Sequence, residues 1–201
     1  MNDFEKEILK SLGKENFLKV RNVKIGIAGA GGLGSNCAFN LVRAGFRKFR
    51  IIDFDRVEHS NLNRQFYFLD QVGKNKVSAL AENLKRINPD IGLEALVKRV
   101  EKDNAAELFG DCDIVVEAFD RAQYKSMLVS SLAASGKLIV SASGLAGAGK
   151  SDEIKVHRKG KNLIVIGDLV SDVNEAPPLS PRVNIAAAKQ ADTILEYILT
   201  R

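Results

Sequence analysis

The chain has 201 residues, 45% of them hydrophobic and 27% charged, which is enough for one sizeable α/β domain and short for two. The net charge of +5 favours anionic ligands or an acidic protein partner. No block of Lys and Arg with interleaved aromatic residues is present, which argues against nucleic acid, and no apolar stretch approaches membrane-spanning length, which argues against a membrane partner.

The first half of the chain alternates helices with apolar strands. An amphipathic helix is predicted over residues 2–12 from apolar side chains at every fourth position, and Gly13 is expected to end it. Further elements of this half are predicted as strands at 23–28, 49–54 and 91–97 and as helices at 34–44 and 76–87. The connection over 55–73 is long and polar for an α/β unit, which indicates a functional loop.

The second half continues this alternation and then breaks it. Helices are predicted at 104–109 and 124–135, and strands at 112–118 and 138–142. Residues 144–150 are expected to form a flexible link, followed by an antiparallel hairpin over 153–157 and 162–166. A second long loop covers 168–182, and a helix over 183–199 closes the chain.

This order predicts an α/β fold, a Rossmann-like doubly wound and mostly parallel sheet with a C-terminal antiparallel hairpin and helix. We interpret residues 1–201 as a single domain. Its parts are an N-terminal helix or arm (1–20), a nucleotide-binding core (21–143), and the hairpin, loop and C-terminal helix (144–201). Ligands of such sheets bind at the carboxyl ends of the strands, where the glycine-rich turn, Asp53 and Asp120 are all predicted to lie.

A glycine-rich turn joins the first predicted strand to the next helix. Its glycines are Gly29, Gly31, Gly32 and Gly34. They allow a tight turn and a close approach to phosphate, and the helix that begins there directs free N–H groups at an anion. Asp53, at the end of the following strand, is placed to accept hydrogen bonds from ribose hydroxyls, so the context predicts a nucleotide site.

The segment after Asp53 contains more polar side chains than the binding of a dinucleotide requires. Asn61 and Arg64 lie three residues apart and would face the same way on a short helical turn. Arg provides a fork for phosphate oxygens and Asn an amide donor, which indicates a triphosphate. Asp55 alternates with Asp53 and is therefore expected to point elsewhere.

Three further side chains are candidates for phosphate chemistry. Lys74 and Lys76 begin the next predicted helix, and either is placed to contact phosphate. Asp120 ends a strand, where a carboxylate suits Mg²⁺ bound against phosphate oxygens.

The two cysteines, Cys37 and Cys112, form no C-x-x-C pair, so we expect buried free thiols, no zinc site and a cytoplasmic protein.

These residues resemble the ubiquitin-activating superfamily, and within it the bacterial ThiF, MoeB and HesA branch. The resemblance covers about residues 20–145. It depends on GAGGLGS (29–35), DFDRVEHSNLNRQ (53–65), GKNKV (73–77) and FD (119–120). The short chain is similar to the compact ThiF form, which lacks the zinc-binding C-terminal region of longer relatives.

The resemblance implies ATP-dependent adenylation of the C-terminal glycine of a small ubiquitin-fold sulfur carrier protein. Pyrophosphate would be released, and a sulfur donor protein would later form the thiocarboxylate. A ThiS-like carrier ending in Gly-Gly, for thiamine thiazole biosynthesis, is favoured over a MoaD-type carrier for molybdopterin synthesis. A homodimer is also implied, with the loop over 168–182 on the carrier side.

The resemblance also assigns roles to individual residues. Gly31 would contact the nucleotide and Asp53 the ribose, while Ser60, Asn61 and Arg64 would contact the phosphates. Spacing from Gly73 selects Lys76, which would stabilise charge on the reacting phosphoryl group, and Asp120 would bind Mg²⁺.

Two other classes of protein stay open. An NAD-dependent oxidoreductase would use the same kind of sheet, but it leaves Arg64, Lys76 and Asp120 without a role. A non-catalytic module would bind the carrier without turnover.

Overall fold

The computed structural model describes all residues, 1–201. Its strands are β1 (Lys24–Ala28), β2 (Lys48–Ile52), β3 (Gly92–Leu96), β4 (Ile114–Glu117), β5 (Leu138–Ala142), β6 (Lys155–Lys159) and β7 (Leu163–Gly167). Its helices are α1 (Asp3–Asn22), α2 (Gly32–Arg43), α3 (Lys76–Lys85), α4 (Ala105–Leu108), α5 (Ala122–Leu132) and α6 (Ser180–Leu199). Most boundaries lie within a few residues of those predicted from the apolar pattern.

The strands form one seven-stranded sheet in the order β3-β2-β1-β4-β5-β7-β6. All neighbouring pairs are parallel except β6 and β7, which form the predicted antiparallel hairpin. The strand order reverses between β1 and β4, and a doubly wound sheet opens a ligand crevice at such a point. The predicted fold class is therefore confirmed.

Helices cover both faces of the sheet. The larger apolar core joins α1, α2, α3 and α6 to one face, and a smaller core joins α4 and α5 to the other. Helix α2, which follows the glycine-rich turn, packs along α6 more extensively than along any other helix. The C-terminal helix therefore supports the turn from behind. None of the helices is both long enough and apolar enough to cross a bilayer.

The N-terminal helix extends past its predicted end. Gly13 has φ +76° and ψ 162°, so the helix kinks there, but helical backbone resumes and continues to Asn22. Phe17 and Val20 lie on this second segment and are buried. Their packing restarts the helix, and the four-residue spacing before Gly13 does not reveal it.

The predicted flexible link over 144–150 and the predicted loop over 168–182 contact each other. Ala146 in the link forms a β-bridge with Pro178 in the loop. Helix α6 begins at Ser180, earlier than predicted, and places Pro181 in its first turn, where a missing N–H costs no helical hydrogen bond.

Candidate functional site

A cleft of about 910 Å³ lies at the carboxyl ends of the central strands. The glycine-rich turn after β1, Asp53 after β2 and Asp120 after β4 all line it. The predicted convergence of these three segments on one rim is confirmed. The cleft also extends past the end of β5 to the segment that follows β7.

Two glycines of the turn are required by the fold itself. Gly29 has φ +99°, and a Cβ there would lie 2.9 Å from the Ala118 carbonyl oxygen. A Cβ on Gly34 would lie 1.9 Å from the Gly29 carbonyl oxygen. Gly34 does not line the cleft, so it serves the close packing of helix against strand and not ligand contact.

Gly31 differs, because nothing in the fold requires a glycine there. Its φ is −78°, and a Cβ would approach only Gln65 Nε2, at 3.9 Å. The missing side chain leaves space in the cleft, as expected where a phosphate approaches the backbone. Gly32 is more confined, since a Cβ would lie 3.0 Å from Val183 Cγ1 on α6.

The start of α2 carries unsatisfied donors. Gly31 is the N-cap and no side chain caps the helix. The first backbone hydrogen bond is donated by the Ser35 N–H to the Gly31 carbonyl, at 2.9 Å. The N–H groups of residues 31–34 therefore have no backbone acceptor, which suits an anion.

Asp53 connects the end of β2 to the glycine-rich turn. Its Oδ2 accepts from the Ala30 N–H at 2.7 Å, and its Oδ1 accepts from the Asp55 N–H at 2.8 Å. Each oxygen keeps a lone pair for a hydroxyl donor. Burial raises the pKa of this carboxyl, although the two backbone hydrogen bonds and the charge of Lys76 oppose the rise.

Tyr67 anchors the long loop over 55–73 to the same turn. Its buried hydroxyl lies 2.6 Å from the Ala30 carbonyl oxygen, to which it donates, and 3.3 Å from the Lys76 carbonyl oxygen. Burial raises the pKa of Tyr67, and nearby Asp53 adds to the rise, so the phenol keeps its proton. No motif in the sequence identifies Tyr67, because its role depends on burial against the glycine-rich turn.

Asn61 and Arg64 both line the cleft, as the spacing predicted. Asn61 Oδ1 accepts from the Glu58 N–H at 3.0 Å, which leaves its amide N–H groups only a weak contact with Ser60 Oγ at 3.4 Å. Arg64 Nη1 donates to the Ser60 carbonyl at 3.1 Å, and its Nε and Nη2 have no protein acceptor. Ser60 itself does not line the cleft, and its phosphate role stays a prediction.

The structure also distinguishes the two lysines. Lys76 is 7% exposed and lines the cleft, with Nζ 2.9 Å from Asp55 Oδ2. Lys74 does not line the cleft and pairs with Glu82 instead. The expectation that Asp55 points away from the site is wrong. Strand β2 ends at Ile52, so the alternation of a strand does not extend to Asp55.

Asp120 lies exposed in the cleft and makes no hydrogen bond or ion pair with the rest of the chain. No three His, Cys, Asp or Glu side chains cluster closely enough to hold a metal ion by themselves. A free carboxylate of this kind suits Mg²⁺ that arrives already bound to phosphate, since Mg²⁺ commonly takes one or two carboxylates plus substrate oxygens.

Glu117 supports the turn that carries Asp120. This carboxylate is fully buried and accepts from the Phe119 N–H at 2.7 Å, from Lys125 Nζ at 3.1 Å and from the Ser141 hydroxyl. An acidic residue inside the apolar run of β4 is the sequence signal that would have identified it.

Several other basic side chains in the cleft were not predicted. They are Arg56, Lys98, Arg99, Arg121 and Lys125. Arg99 also lies over the Phe54 ring, with its Cζ 4.4 Å from the ring centroid. Arg56, Lys98, Arg99 and Arg121 follow strand ends within a few residues, whereas Lys125 lies on α5 and carries no such signal.

The chain is similar in sequence to curated adenylyltransferases. The chain is 37% identical over 139 residues to the adenylyltransferase and sulfurtransferase uba4 of Aspergillus clavatus, covering 69% of this chain and 28% of that protein. It is 33% identical over 134 residues to the sulfur carrier protein adenylyltransferase of Thermus thermophilus, covering 66% and 49%. The chain thus spans between about a quarter and a half of these relatives.

Solved structures share the fold over more of the chain. The E. coli tRNA N6-threonylcarbamoyladenosine dehydratase TcdA, in complex with ATP, superposes with a TM-score of 0.88 at 19% identity, covering 97% of this chain and 93% of that one. E. coli MccB superposes at 0.77 with 20% identity, covering 98% and 64%. The model of the ThiF family matches residues 4–199, and the chain therefore belongs to the ThiF family.

Proposed function

We propose that this chain adenylates the C-terminal glycine carboxylate of a small, ThiS-like sulfur carrier protein, for thiamine thiazole biosynthesis. One observation carries the proposal. A single cleft brings together the uncapped helix start at Gly31, the carboxylate of Asp53 and the cationic side chains of Arg64 and Lys76. The adenylyltransferase names of the curated relatives support it.

The arrangement orients the nucleotide. Asp53 holds the ribose at the end of β2, and the phosphates extend from the start of α2 toward Arg64 and Lys76. Mg·ATP enters as the substrate, with Asp120 as the protein ligand of its metal. When bound, the metal neutralises charge on the phosphate oxygens.

In the proposed reaction, a carboxylate oxygen of the carrier attacks the α-phosphorus. The bond from that phosphorus to the oxygen bridging to the β-phosphorus breaks, giving an acyl-adenylate and pyrophosphate. Arg64 and Lys76 stabilise negative charge on the phosphoryl oxygens. Positioning and charge neutralisation therefore supply the rate, as in other phosphoryl-type chemistry.

The cysteines suit adenylation without a thioester step. Cys37 and Cys112 are both buried and do not line the cleft. Burial raises the pKa of the Cys112 thiol to about 11 and that of Cys37 further. Neither thiol is available as a nucleophile at neutral pH, so sulfur would come from a separate donor protein.

The family also suggests a homodimer, which light scattering tests directly.

ATP–pyrophosphate exchange tests the function. Exchange should require Mg²⁺ and a ThiS-type carrier ending in Gly-Gly, and should fail with the same carrier lacking its last glycine. Exchange with a MoaD-type carrier alone would refute the thiamine assignment. A folded protein that binds ATP but exchanges with neither carrier would be a binding module, and one that prefers NAD to ATP would be an oxidoreductase.

A further inference from the structure

The cleft has two halves with different charge. Its basic side chains all follow β2, β3 or β4, and they are Arg56, Arg64, Lys76, Lys98, Arg99, Arg121 and Lys125. The other half is lined by residues 142–145 after β5, by 171–174 after β7, and by Pro178 and Val183. That half contains no basic side chain, and Asp172 is its only charged residue. It therefore offers no cation to bind phosphate.

One buried ion pair fixes the loops that line this half of the cleft. Arg182, in the first turn of α6, is 3% exposed and pairs through Nη2 with Asp168 Oδ2. Its Nη1 donates to the carbonyls of Gly149 and Lys150, at 2.7 and 3.2 Å. One guanidinium therefore joins α6, the link over 144–150 and the loop after β7.

The second oxygen of Asp168 organises the loop itself. Its Oδ1 accepts from the N–H groups of Val170 and Ser171, both at 2.8 Å, and from the Ser171 hydroxyl at 3.1 Å. Ser171 Oγ in turn accepts from the Ala146 N–H. Burial alone would raise the pKa of Asp168, but these hydrogen bonds and Arg182 outweigh it and lower the pKa, so the carboxylate stays ionised.

Backbone strain marks the same place. Lys150 and Leu169 have φ of 48° and 63°, and no other residue except glycine has a positive φ. The Lys150 carbonyl accepts from Arg182, and Leu169 directly follows Asp168. Such strain persists only where the surroundings impose it, and it concentrates at ligand sites.

We propose that the Arg182–Asp168 pair positions the second substrate, by holding the loops after β5 and β7 as the wall along which an extended, uncharged tail lies. This inference rests on the proposed function. The cations on the nucleotide side attract the terminal carboxylate, while the wall without basic side chains accommodates the rest of the tail. Neither residue of the pair lines the cleft, so both act through the loops.

Arg182→Lys tests this role, because it keeps the charge but loses the fork that contacts three acceptors. We expect the KM for the carrier to rise roughly tenfold, the scale of one lost charge-assisted hydrogen bond, with the KM for ATP unchanged. Asp168→Asn should also raise the KM for the carrier. Arg158→Lys is the matched control and should change neither constant, since Arg158 lies exposed on the hairpin and pairs with Glu196 on α6.

Calorimetric ATP binding and thermal unfolding show whether each variant is folded. If Arg182→Lys does not fold, Asp168→Asn, at the other residue of the pair outside the cleft lining, is expected to give the same selective rise in carrier KM. Equal effects on both KM values, or none, in folded variants would overturn the positioning role. A wild-type protein without carrier-dependent exchange would instead overturn the proposed function on which this inference depends.

Discussion

Gly31 and Gly34 lie in one glycine-rich turn, but the structure around their missing Cβ atoms differs. Gly31 faces the cleft with space around its missing Cβ, whereas Gly34 packs against the Gly29 carbonyl. The same residue type therefore leaves space in the cleft at one position and allows close packing at the other.

Alanine at each position separates these roles. Gly31→Ala should fold with an unfolding temperature near that of the wild type but weaken ATP binding roughly tenfold or more, because the methyl group occupies phosphate space. Gly34→Ala should lower the free energy of unfolding by about 1–3 kcal/mol through overpacking. Titration calorimetry and thermal unfolding measure the two effects, and equal destabilisation by both substitutions would contradict the assignment.

Asp120→Ala should abolish adenylation and leave the fold intact, because this exposed carboxylate bonds to no protein group. We expect pyrophosphate exchange to fall by at least roughly 100-fold, the scale of a removed charge-stabilising group. Asp192→Ala, on the exposed side of α6, provides the control. Normal turnover of the Asp120 variant would refute its metal role.

Lys76 and Lys74 form a second matched pair. Lys76→Ala removes the buried ammonium of the cleft and should lower kcat roughly 100-fold. Lys74→Ala removes only a surface ion pair with Glu82 and should leave kcat near the wild-type value. Single-turnover rates with saturating carrier distinguish them, and similar losses in both variants would count against Lys76 as the selected lysine.

At the scale of elements, a charge network ties the sheet together away from the cleft. Lys24 on β1 and Arg50 on β2 each pair with Glu94 on β3 and with Asp111 before β4. Hydrogen bonds from Lys24, followed by those from Arg50, lower the pKa of both carboxyls. A depressed pKa stabilises the folded state above the unfolded pKa values, about 4.3 and 3.9, and this contribution is lost as pH falls through the folded values.

Denaturant unfolding between pH 7 and pH 3 checks this sign. The free energy of unfolding of the wild type should decrease toward pH 3. Glu94→Gln should be less stable than the wild type at pH 7, and the difference should shrink in acid. Curves that stay parallel down to pH 3 would show that the network does not contribute.

At the scale of the whole molecule, the nucleotide should stabilise the fold, because its cleft joins segments after six strands. A ligand at 100 times its Kd adds about 2.7 kcal/mol, and a protein of this size shifts by about 2–4 °C per kcal/mol. Mg·ATP should therefore raise the unfolding temperature by roughly 5–10 °C. The same concentration of NAD should have little effect, and the reverse order would contradict the triphosphate site.

Some features of the site could be predicted and others could not. The positions of the glycine-rich turn, Asp53 and the Asn61–Arg64 pair in the cleft could be predicted from local spacing, since each depends on a strand end or a single helical turn. The position of Asp55 was mispredicted because strand alternation stops where the strand stops. Local spacing does not identify Glu117 and Tyr67, because their importance depends on burial against distant segments.

The sequence by itself determined the strand–turn–helix context, the fold class and the family, because these depend on residues near one another in the chain. Only the tertiary structure decided that Lys76 meets Asp55, and that Arg182 meets Asp168 beside the half of the cleft without basic side chains. The first contact accompanies the bridge between Arg56 and Asn75. The second follows from β7 lying parallel beside β5 and from α6 packing behind the turn. Which strands become neighbours is settled by packing the whole core, and no local pattern encodes it.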